Sequence, residues 1–250
     1  MSNKTLTLGQ AAAWCGGQIA PEQEERPFFG ANFDSRLIRP GELFAALPGV
    51  RDGHDFAASA LERGAAAVLA SRPVDGPAIY VEDTSRALRD IARGYRESLP
   101  CRCVGITGSV GKTTTKEMIA AVLRTALRTQ WTEKNYNNEI GLPVSVLRLK
   151  PDCEAAVLEM GMNHFGELSL LTRIAQPDLA VITNIGTMHI ENLGSREGIL
   201  RAKLEILEGL RPGGRVIFNG DDALLRPLAA RYHAVCFGLS EGCDVRASRV

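Results

Sequence analysis

The stretch Val104-Gly105-Ile106-Thr107-Gly108-Ser109-Val110-Gly111-Lys112-Thr113-Thr114 decides the fold of this chain. It starts with a short β-branched run, continues through a glycine-containing loop and leads into helical periodicity, so it predicts a strand, a loop and a helix. A helix N-terminus presents unpaired N–H groups and a partial positive charge, and glycines let a phosphate approach the backbone closely. The stretch therefore predicts a phosphate loop.

The residue types in the loop suit a nucleotide. Lys112 is placed to reach the β- and γ-phosphates, and the Thr113 hydroxyl is placed to ligate Mg²⁺. The residues predicted to bind ATP in this stretch are Thr107, Gly108, Ser109, Val110, Gly111, Lys112, Thr113 and Thr114. The loop is a variant, because Ile106 takes the place of the first glycine of the common pattern. The alternative is a glycine-rich turn that merely opens a helix.

Composition limits the kinds of partner. Lys plus Arg and Asp plus Glu each total 29 in 250 residues, and no basic stripe is visible, so we expect no nucleic-acid or membrane partner. The six cysteines include no C-x-x-C pair, which suits reduced thiols. No run approaches the roughly 18 apolar residues of a membrane span. We expect a cytoplasmic protein that acts on small molecules.

The periodicity predicts an α/β fold with two domains. Residues 1–100 alternate short apolar runs with turn signals, which predicts a small α/β domain whose last helix, 84–99, stops at Pro100. Residues 101–250 repeat strand, loop and helix, which predicts a doubly wound, mostly parallel and incomplete sheet. Its predicted strands are 104–107, 155–159, 179–184, 215–218 and 234–237. Its first helix is predicted to pack through Ile119, Val122, Leu123, Ala126 and Leu127.

Two residues at predicted strand ends are candidate metal ligands. Glu159 ends an apolar strand, where open α/β sheets place ligand-binding groups. The alternative for Glu159 is a strand-end charge that faces water. His189 follows the 179–184 strand, although a lone histidine is more often structural and Mg²⁺ prefers oxygen ligands.

Lys203 occupies an apolar helix face. Ser195 is a suitable N-cap, and the following helix carries Ile199, Ala202, Ile206, Leu207 and Leu210 on the stripe that also contains Lys203. Such a lysine either extends its ammonium to water or is desolvated, and desolvation lowers its pKa. A neutral lysine amine can add CO₂ to form a carbamate, which is an anionic oxygen ligand for Mg²⁺.

Four segments of the second predicted domain stand out: Thr-Gly-Ser-Val-Gly-Lys-Thr-Thr-Thr (107–115), Asn-Tyr-Asn-Asn-Glu-Ile-Gly-Leu-Pro (135–143), Glu-Met-Gly-Met-Asn-His (159–164) and Thr-Asn-Ile-Gly-Thr-Met-His (183–189). In order and spacing they resemble the central domain of the Mur ligases. Residues 34–36, 40–44 and 52–56 are similar to the UDP-sugar-binding domain of that family. The resemblance covers nearly the whole chain, and within the family it is strongest to the members that add D-alanyl-D-alanine.

The resemblance implies an ATP-dependent peptide ligase of cell-wall synthesis. In the family, ATP phosphorylates the carboxylate of a UDP-N-acetylmuramoyl-tripeptide, and the amine of D-alanyl-D-alanine attacks the acyl phosphate. It implies catalytic roles for Lys112, Lys203 and His189, with Thr113 and Glu159 on one Mg²⁺, and His189 and carbamylated Lys203 on a second. It further implies that Asn137, Asn138, Asn219 and Asp222 bind ATP, and that Ser35 and Arg36 bind the uridine nucleotide.

The resemblance also indicates how much of a family member this chain contains and which other functions compete with the ligase. Family members continue into a third domain, so we expect the chain ending at Val250 to be a fragment and by itself short of full activity. We also expect a monomer. The alternatives are a third-residue-adding ligase or a folylpolyglutamate synthetase of the same superfamily, a nucleotide-binding fragment without turnover, and a phosphate-loop kinase or GTPase. No guanine-specific N-K-x-D signature is present.

Overall fold

The computed structural model describes residues 6–248, and they form two compact units. One unit contains the residues up to Leu99 together with Pro143–Asp152, and the other contains Pro100–Leu142 and the residues from Cys153 onward. The naming of residues 1–100 and 101–250 as two functional domains stays a prediction.

The first unit is built on short parallel strands. Its elements are β1 (Leu6–Thr7), α1 (Leu8–Cys15), β2 (Pro27–Phe28), β3 (Ala31–Asn32), β4 (Leu43–Ala45), α2 (Ala57–Glu62), β5 (Ala67–Ala70), β6 (Ala78–Tyr80) and α3 (Thr84–Ser98). The strands β3, β4, β5 and β6 form a parallel sheet in that order, and β1 pairs with β2 in an antiparallel sheet.

Helix α3 follows directly from its sequence. The Asp83 carboxylate accepts a hydrogen bond from the Arg86 N–H at 2.9 Å and caps the helix. Leu88, Ile91 and Tyr95 recur at helical spacing and are buried. The helix ends before Pro100, as predicted.

The second unit is built on a seven-stranded sheet. Its elements are β7 (Arg102–Thr107), α4 (Lys112–Leu123), β8 (Thr129–Trp131), α5 (Gly141–Leu147), which contains a boundary between the units, β9 (Ala155–Glu159), α6 (Glu167–Ala175), β10 (Leu179–Ile182), α7 (Ile190–Leu193), α8 (Arg196–Leu204), β11 (Arg215–Asn219), α9 (Ala229–Tyr232), β12 (Val235–Gly238) and β13 (Val245–Arg246). The strand order is β13-β12-β11-β10-β7-β9-β8, and each recorded pairing is parallel. The predicted α/β class with a parallel sheet is confirmed. Within residues 6–248, no helix has both the length and the apolarity to cross a bilayer.

The inner face of α4 differs from the predicted face. Ile119 and Leu123 pack against the core as predicted, but Val122 is 69% exposed and Leu127 lies beyond the end of the helix. The buried stripe instead includes Lys116. The prediction was wrong because apolar periodicity does not include a lysine. Lys116 can be buried because its ammonium has hydrogen-bond acceptors there.

Replacing Ile91 tests the packing of α3. We expect Ile91→Ala to lower the free energy of unfolding by about 2–5 kcal/mol, because a fully buried side chain leaves a cavity. The control is Arg86→Ala, which removes an exposed ion pair with Asp90 and changes stability by less than about 1 kcal/mol. Urea unfolding followed by circular dichroism measures both, and equal midpoints for the two variants would contradict the packing.

Candidate nucleotide-binding site

The loop 108–111 joins β7 to α4 at the carboxyl edge of the sheet. Gly111 has φ 78°, in the left-handed region, and precedes the first residue of the helix. Gly108 has φ 153°, and a Cβ there would overlap the Thr183 hydroxyl. Glycine at position 108 is therefore required by close approach as well as by backbone conformation. The predicted order of strand, loop and helix is confirmed.

The segment after β10 anchors the loop. The Ser109 N–H donates to the Asn184 carbonyl at 3.1 Å, and the Val110 N–H donates to the Asn184 side-chain oxygen at 3.0 Å. The Gly186 N–H donates to the Ser109 hydroxyl at 2.9 Å. Two of the loop amides expected to hold phosphate are therefore bonded within the protein. The first-turn amides of α4 have no acceptor inside the helix, as at any helix N-terminus.

Lys112 bends back over the loop that precedes it. Its ammonium donates to the carbonyl oxygens of Gly108 at 2.8 Å and Ser109 at 3.2 Å. Burial lowers the pKa of Lys112, and the negative charge of Glu159 acts in the opposite direction. Lys112 and Glu159 therefore interact electrostatically across the start of α4.

Glu159 is a buried carboxylate rather than a strand-end charge in water. It is 2% exposed, so the water-facing alternative is wrong. One carboxylate oxygen accepts from the Thr113 hydroxyl at 2.9 Å, and the other accepts from the Asn137 side-chain amide at 2.8 Å. A hydroxyl and a carboxylate are oxygen donors of the kind Mg²⁺ prefers, so the pair fits that ion chemically.

The adjacent asparagines have different local roles. Asn137 contacts Glu159, and its carbonyl accepts from the Gly161 N–H at 2.8 Å. The side-chain oxygen of Asn138 accepts from the Ile140 N–H at 3.3 Å and the Gly141 N–H at 2.8 Å, at the start of α5. Asn138 therefore organises the turn into that helix.

Lys203 is buried on α8. The Ser195 hydroxyl caps this helix by accepting from the Gly198 N–H at 3.1 Å, as predicted. The α-helix ends at Leu204 and a 3₁₀ helix, Glu205–Gly209, follows, so the predicted α-helix is wrong beyond that point, although Ile206 is buried as the predicted stripe requires. Lys203 is 3% exposed, which excludes an ammonium extended into water. Within residues 6–248 no hydrogen bond or ion pair of the Lys203 ammonium is recorded. Burial, followed by the charge of Lys112, lowers the pKa of Lys203 to about 7.

His189 immediately precedes α7. It has φ 63°, in the left-handed region, and is half-buried. In the part of the chain that the structure describes, no recorded bond joins its ring to Glu159 or Lys203, and no three His, Cys, Asp or Glu side chains form a metal cluster.

Two polar residues shape the loops at the end of β11: Asn219, its last residue, and Asp222, three residues later. The Asp222 carboxylate accepts from the Ile185 N–H at 2.7 Å and the Leu224 N–H at 2.9 Å. The Asn219 side-chain oxygen accepts from the Asp221 N–H at 3.0 Å. Asp222 therefore fixes the segment that follows β10.

The candidate uridine-binding residues lie in the first unit, after β3. Ser35 is buried at the start of the 3₁₀ helix Ser35–Leu37, which the Asp34 carboxylate caps. The exposed Arg36 guanidinium donates two hydrogen bonds to Asp34, at 2.9 and 2.7 Å. Arg36 is thus already paired with a carboxylate on the same turn.

Sequence reasoning assigned no role to Asn184, Thr132 or Lys116. Asn184 lies two residues after the end of β10, and this position was the available signal for a loop-anchoring side chain. Thr132 follows β8, and its hydroxyl accepts from the Glu159 N–H at 3.0 Å. No short-range pattern connects Thr132 with Glu159, because their proximity depends on strand pairing.

The phosphate-loop class of α/β domains is defined by a strand, a glycine-containing loop and a helix that starts with Lys-Thr. This chain has all three, next to a buried carboxylate on the adjacent strand. Residues 106–250 match the Mur ligase middle domain, and residues 30–96 match the Mur ligase family catalytic domain. The chain belongs to the Mur ligase family.

Individual relatives agree with this family. The chain is 48% identical over 227 residues to the UDP-N-acetylmuramoyl-tripeptide--D-alanyl-D-alanine ligase of Bacillus subtilis, covering 88% of this chain and 50% of that protein. It is similar to a crystal structure of MurF from Acinetobacter baumannii, with TM-score 0.85, 34% identity, and coverage of 100% and 56%. It is also similar to the MurF ligase of Thermotoga maritima in complex with ADP, with TM-score 0.77, 37% identity, and coverage of 86% and 51%. The chain spans about half the length of these relatives.

The titration of Lys203 is directly measurable. We expect the labelling rate of Lys203 by cyanate to rise with pH with a midpoint near 7, because the buried ammonium loses its proton more readily. The exposed Lys134 is labelled in the same sample as an internal control for the reagent. Peptide mass spectrometry measures the labelling of Lys203 against pH, and a labelling rate that shows no midpoint near 7 would contradict the environment described for Lys203.

Proposed function

We propose that the protein is an ATP-dependent ligase that joins D-alanyl-D-alanine to UDP-N-acetylmuramoyl-tripeptide, through an acyl phosphate, in cytoplasmic synthesis of peptidoglycan precursors. The observation that carries the proposal is the 48% identity to a ligase of that name over 88% of this chain. The Thr113–Glu159 pair beside the phosphate loop adds chemical support.

The nucleotide is assigned to the second unit. The amides at the start of α4 and the Lys112 ammonium supply positive charge for the phosphates of ATP. Thr113 and Glu159 are proposed to hold one Mg²⁺, and His189 and carbamylated Lys203 a second. When bound, the ions would neutralise charge that develops on the transferring phosphoryl group. Asn137 and Asn138 are proposed to lie near the γ-phosphate, and Asn219 and Asp222 near the rest of the nucleotide.

The environment of Lys203 suits carbamate formation. The neutral amine attacks CO₂ through its nitrogen lone pair, forms an N–C bond and releases one proton to water. A pKa of about 7 leaves a large share of Lys203 neutral at physiological pH, whereas an ordinary lysine is almost fully protonated there. The carbamate would replace a buried cation with an anionic oxygen ligand.

The acceptor substrate is assigned to the first unit. Ser35 and Arg36 are proposed to contact the uridine nucleotide. Arg36 would exchange part of its pairing with Asp34 for a phosphate, to which a guanidinium binds well. We further propose that the protein acts as a monomer.

Phosphate release tests the reaction. We expect the complete protein to release phosphate from ATP only when UDP-N-acetylmuramoyl-tripeptide and D-alanyl-D-alanine are both present, since the acyl phosphate persists until an amine attacks it. A coupled phosphate assay with each substrate omitted in turn measures this. Equal turnover with a single amino acid in place of the dipeptide would refute the dipeptide-adding assignment and favour another ligase of the family.

The role of Lys112 has a separate test. We expect Lys112→Met to reduce the rate of phosphate release about 10²–10³-fold, because a positive group near the transferring phosphoryl is removed. Lys150→Met, which removes an exposed ammonium in the first unit, is the matched control and should leave the rate unchanged. A rate for Lys112→Met equal to that control would refute the assigned role.

A further inference from the structure

A buried lysine outside the predicted site is joined to it by hydrogen bonds. Lys116 lies one helical turn after Thr113 on α4 and is 1% exposed. Its ammonium donates to the Thr132 carbonyl at 2.7 Å and pairs with the Glu117 carboxylate at 3.0 Å. Burying an ammonium carries a desolvation cost of several kcal/mol, which the bonds to this carbonyl and carboxylate offset in part.

That carbonyl lies where β8 leaves the sheet. The β8–β9 ladder runs to the pair Trp131 and Val157, and the Thr132 N–H still donates to the Val157 carbonyl at 3.0 Å. In a regular parallel ladder, the next bond would run from the Glu159 N–H to the Thr132 carbonyl. Here Lys116 binds that carbonyl, and the Glu159 N–H donates to the Thr132 hydroxyl instead, at 3.0 Å.

The end of β8 determines which groups bind Glu159. After Thr132 the chain enters the 133–140 loop, which brings the Asn137 amide to the Glu159 carboxylate. The other carboxylate oxygen accepts from the Thr113 hydroxyl on α4. Glu159 is therefore held through its main chain by Thr132 and through its carboxylate by Thr113 and Asn137, while Lys116 and Thr113 belong to one helix.

We propose that Lys116 is a positioning residue for the nucleotide-bound Mg²⁺: by holding the Thr132 carbonyl it ends β8, leaves the Thr132 hydroxyl to Glu159, and so orients the carboxylate that receives the ion. The inference rests on the proposed function of Glu159. It assigns to Lys116 no contact with nucleotide or metal. Groups that orient a metal-binding carboxylate commonly change metal affinity 10–100-fold when removed.

The test compares ADP binding with Mg²⁺ and with EDTA, by calorimetry on the full chain. Thr132→Val removes the hydroxyl and keeps the shape, Thr132→Ser restores a hydroxyl, and Lys116→Met removes the charge and keeps the length of the side chain. Glu117→Gln is the control, because it changes only the exposed partner of Lys116. In the presence of Mg²⁺, we expect Thr132→Val and Lys116→Met to bind ADP about tenfold more weakly than the unchanged protein does. In EDTA, these two variants should bind ADP as the unchanged protein does. Thr132→Ser and Glu117→Gln should bind ADP as the unchanged protein does under both conditions.

The outcomes separate the inference from the function. If the unchanged protein binds ADP no better with Mg²⁺ than with EDTA, the proposed metal site fails and the inference fails with it. If Mg²⁺ raises the ADP affinity of the unchanged protein, and raises that of Thr132→Val and Lys116→Met by the same factor, only the inference is overturned. Equal weakening with and without Mg²⁺ would mean a purely structural role, which also overturns it. Thr132→Val keeps the test valid if Lys116→Met does not fold, as checked by thermal unfolding of each variant.

Discussion

The candidate site depends on parallel strand pairing. Strands that run the same way end at the same edge, so β7, β9, β10 and β11 deliver the residues after Thr107, Glu159, Ile182 and Asn219 to one side of the sheet. The loops at this edge then bind one another through side chains, because the ladder has ended and their backbone groups still need partners. Asn184 serves the phosphate loop in this way, and Asp222 in turn serves the segment that contains Asn184. The site is thus a set of mutually satisfied loops on a rigid sheet.

Three lysines in this unit differ in what their ammonium groups meet. Lys112 is bonded to two carbonyls of its own loop, and Lys116 to a carbonyl and a carboxylate. Lys203 is buried without a recorded partner among residues 6–248, and burial together with the charge of Lys112 lowers its pKa to about 7. The side-chain chemistry is the same in all three, so the surrounding acceptors decide the role. A lysine with acceptors supplies a fixed charge or a hydrogen bond, whereas one without them tends towards a neutral amine.

Much of this architecture could be predicted from the sequence because it is encoded locally. The apolar strands, the glycine-containing loop and the capped helix α3 each follow from residues within a few positions of one another. The interpretation failed where a side chain is buried by a distant partner. Lys116 is charged and was left out of the predicted apolar stripe of α4, but it is buried on the inner face of the helix. Val122 was placed on that stripe, but it is exposed. The link from Thr132 to Glu159 requires the strand register, which hydrophobic periodicity alone does not supply. The ligand roles of His189, Asn219 and Ser35 were inferred from resemblance and stay predictions.

The anchoring of the phosphate loop by residues far along the chain bears on how the protein is made. The bond between Gly186 and Ser109 spans 77 residues, and the bond between Asn184 and Val110 spans 74. A ribosome releases β7 and α4 well before it releases either anchor, and contacts of such long sequence separation form late because closing the intervening chain is entropically costly. Nascent chains that end before residue 184 therefore carry the loop sequence without the hydrogen bonds that set its conformation. The nucleotide motif is complete early in translation. The site is complete only after β10 and the residues that follow it have been added.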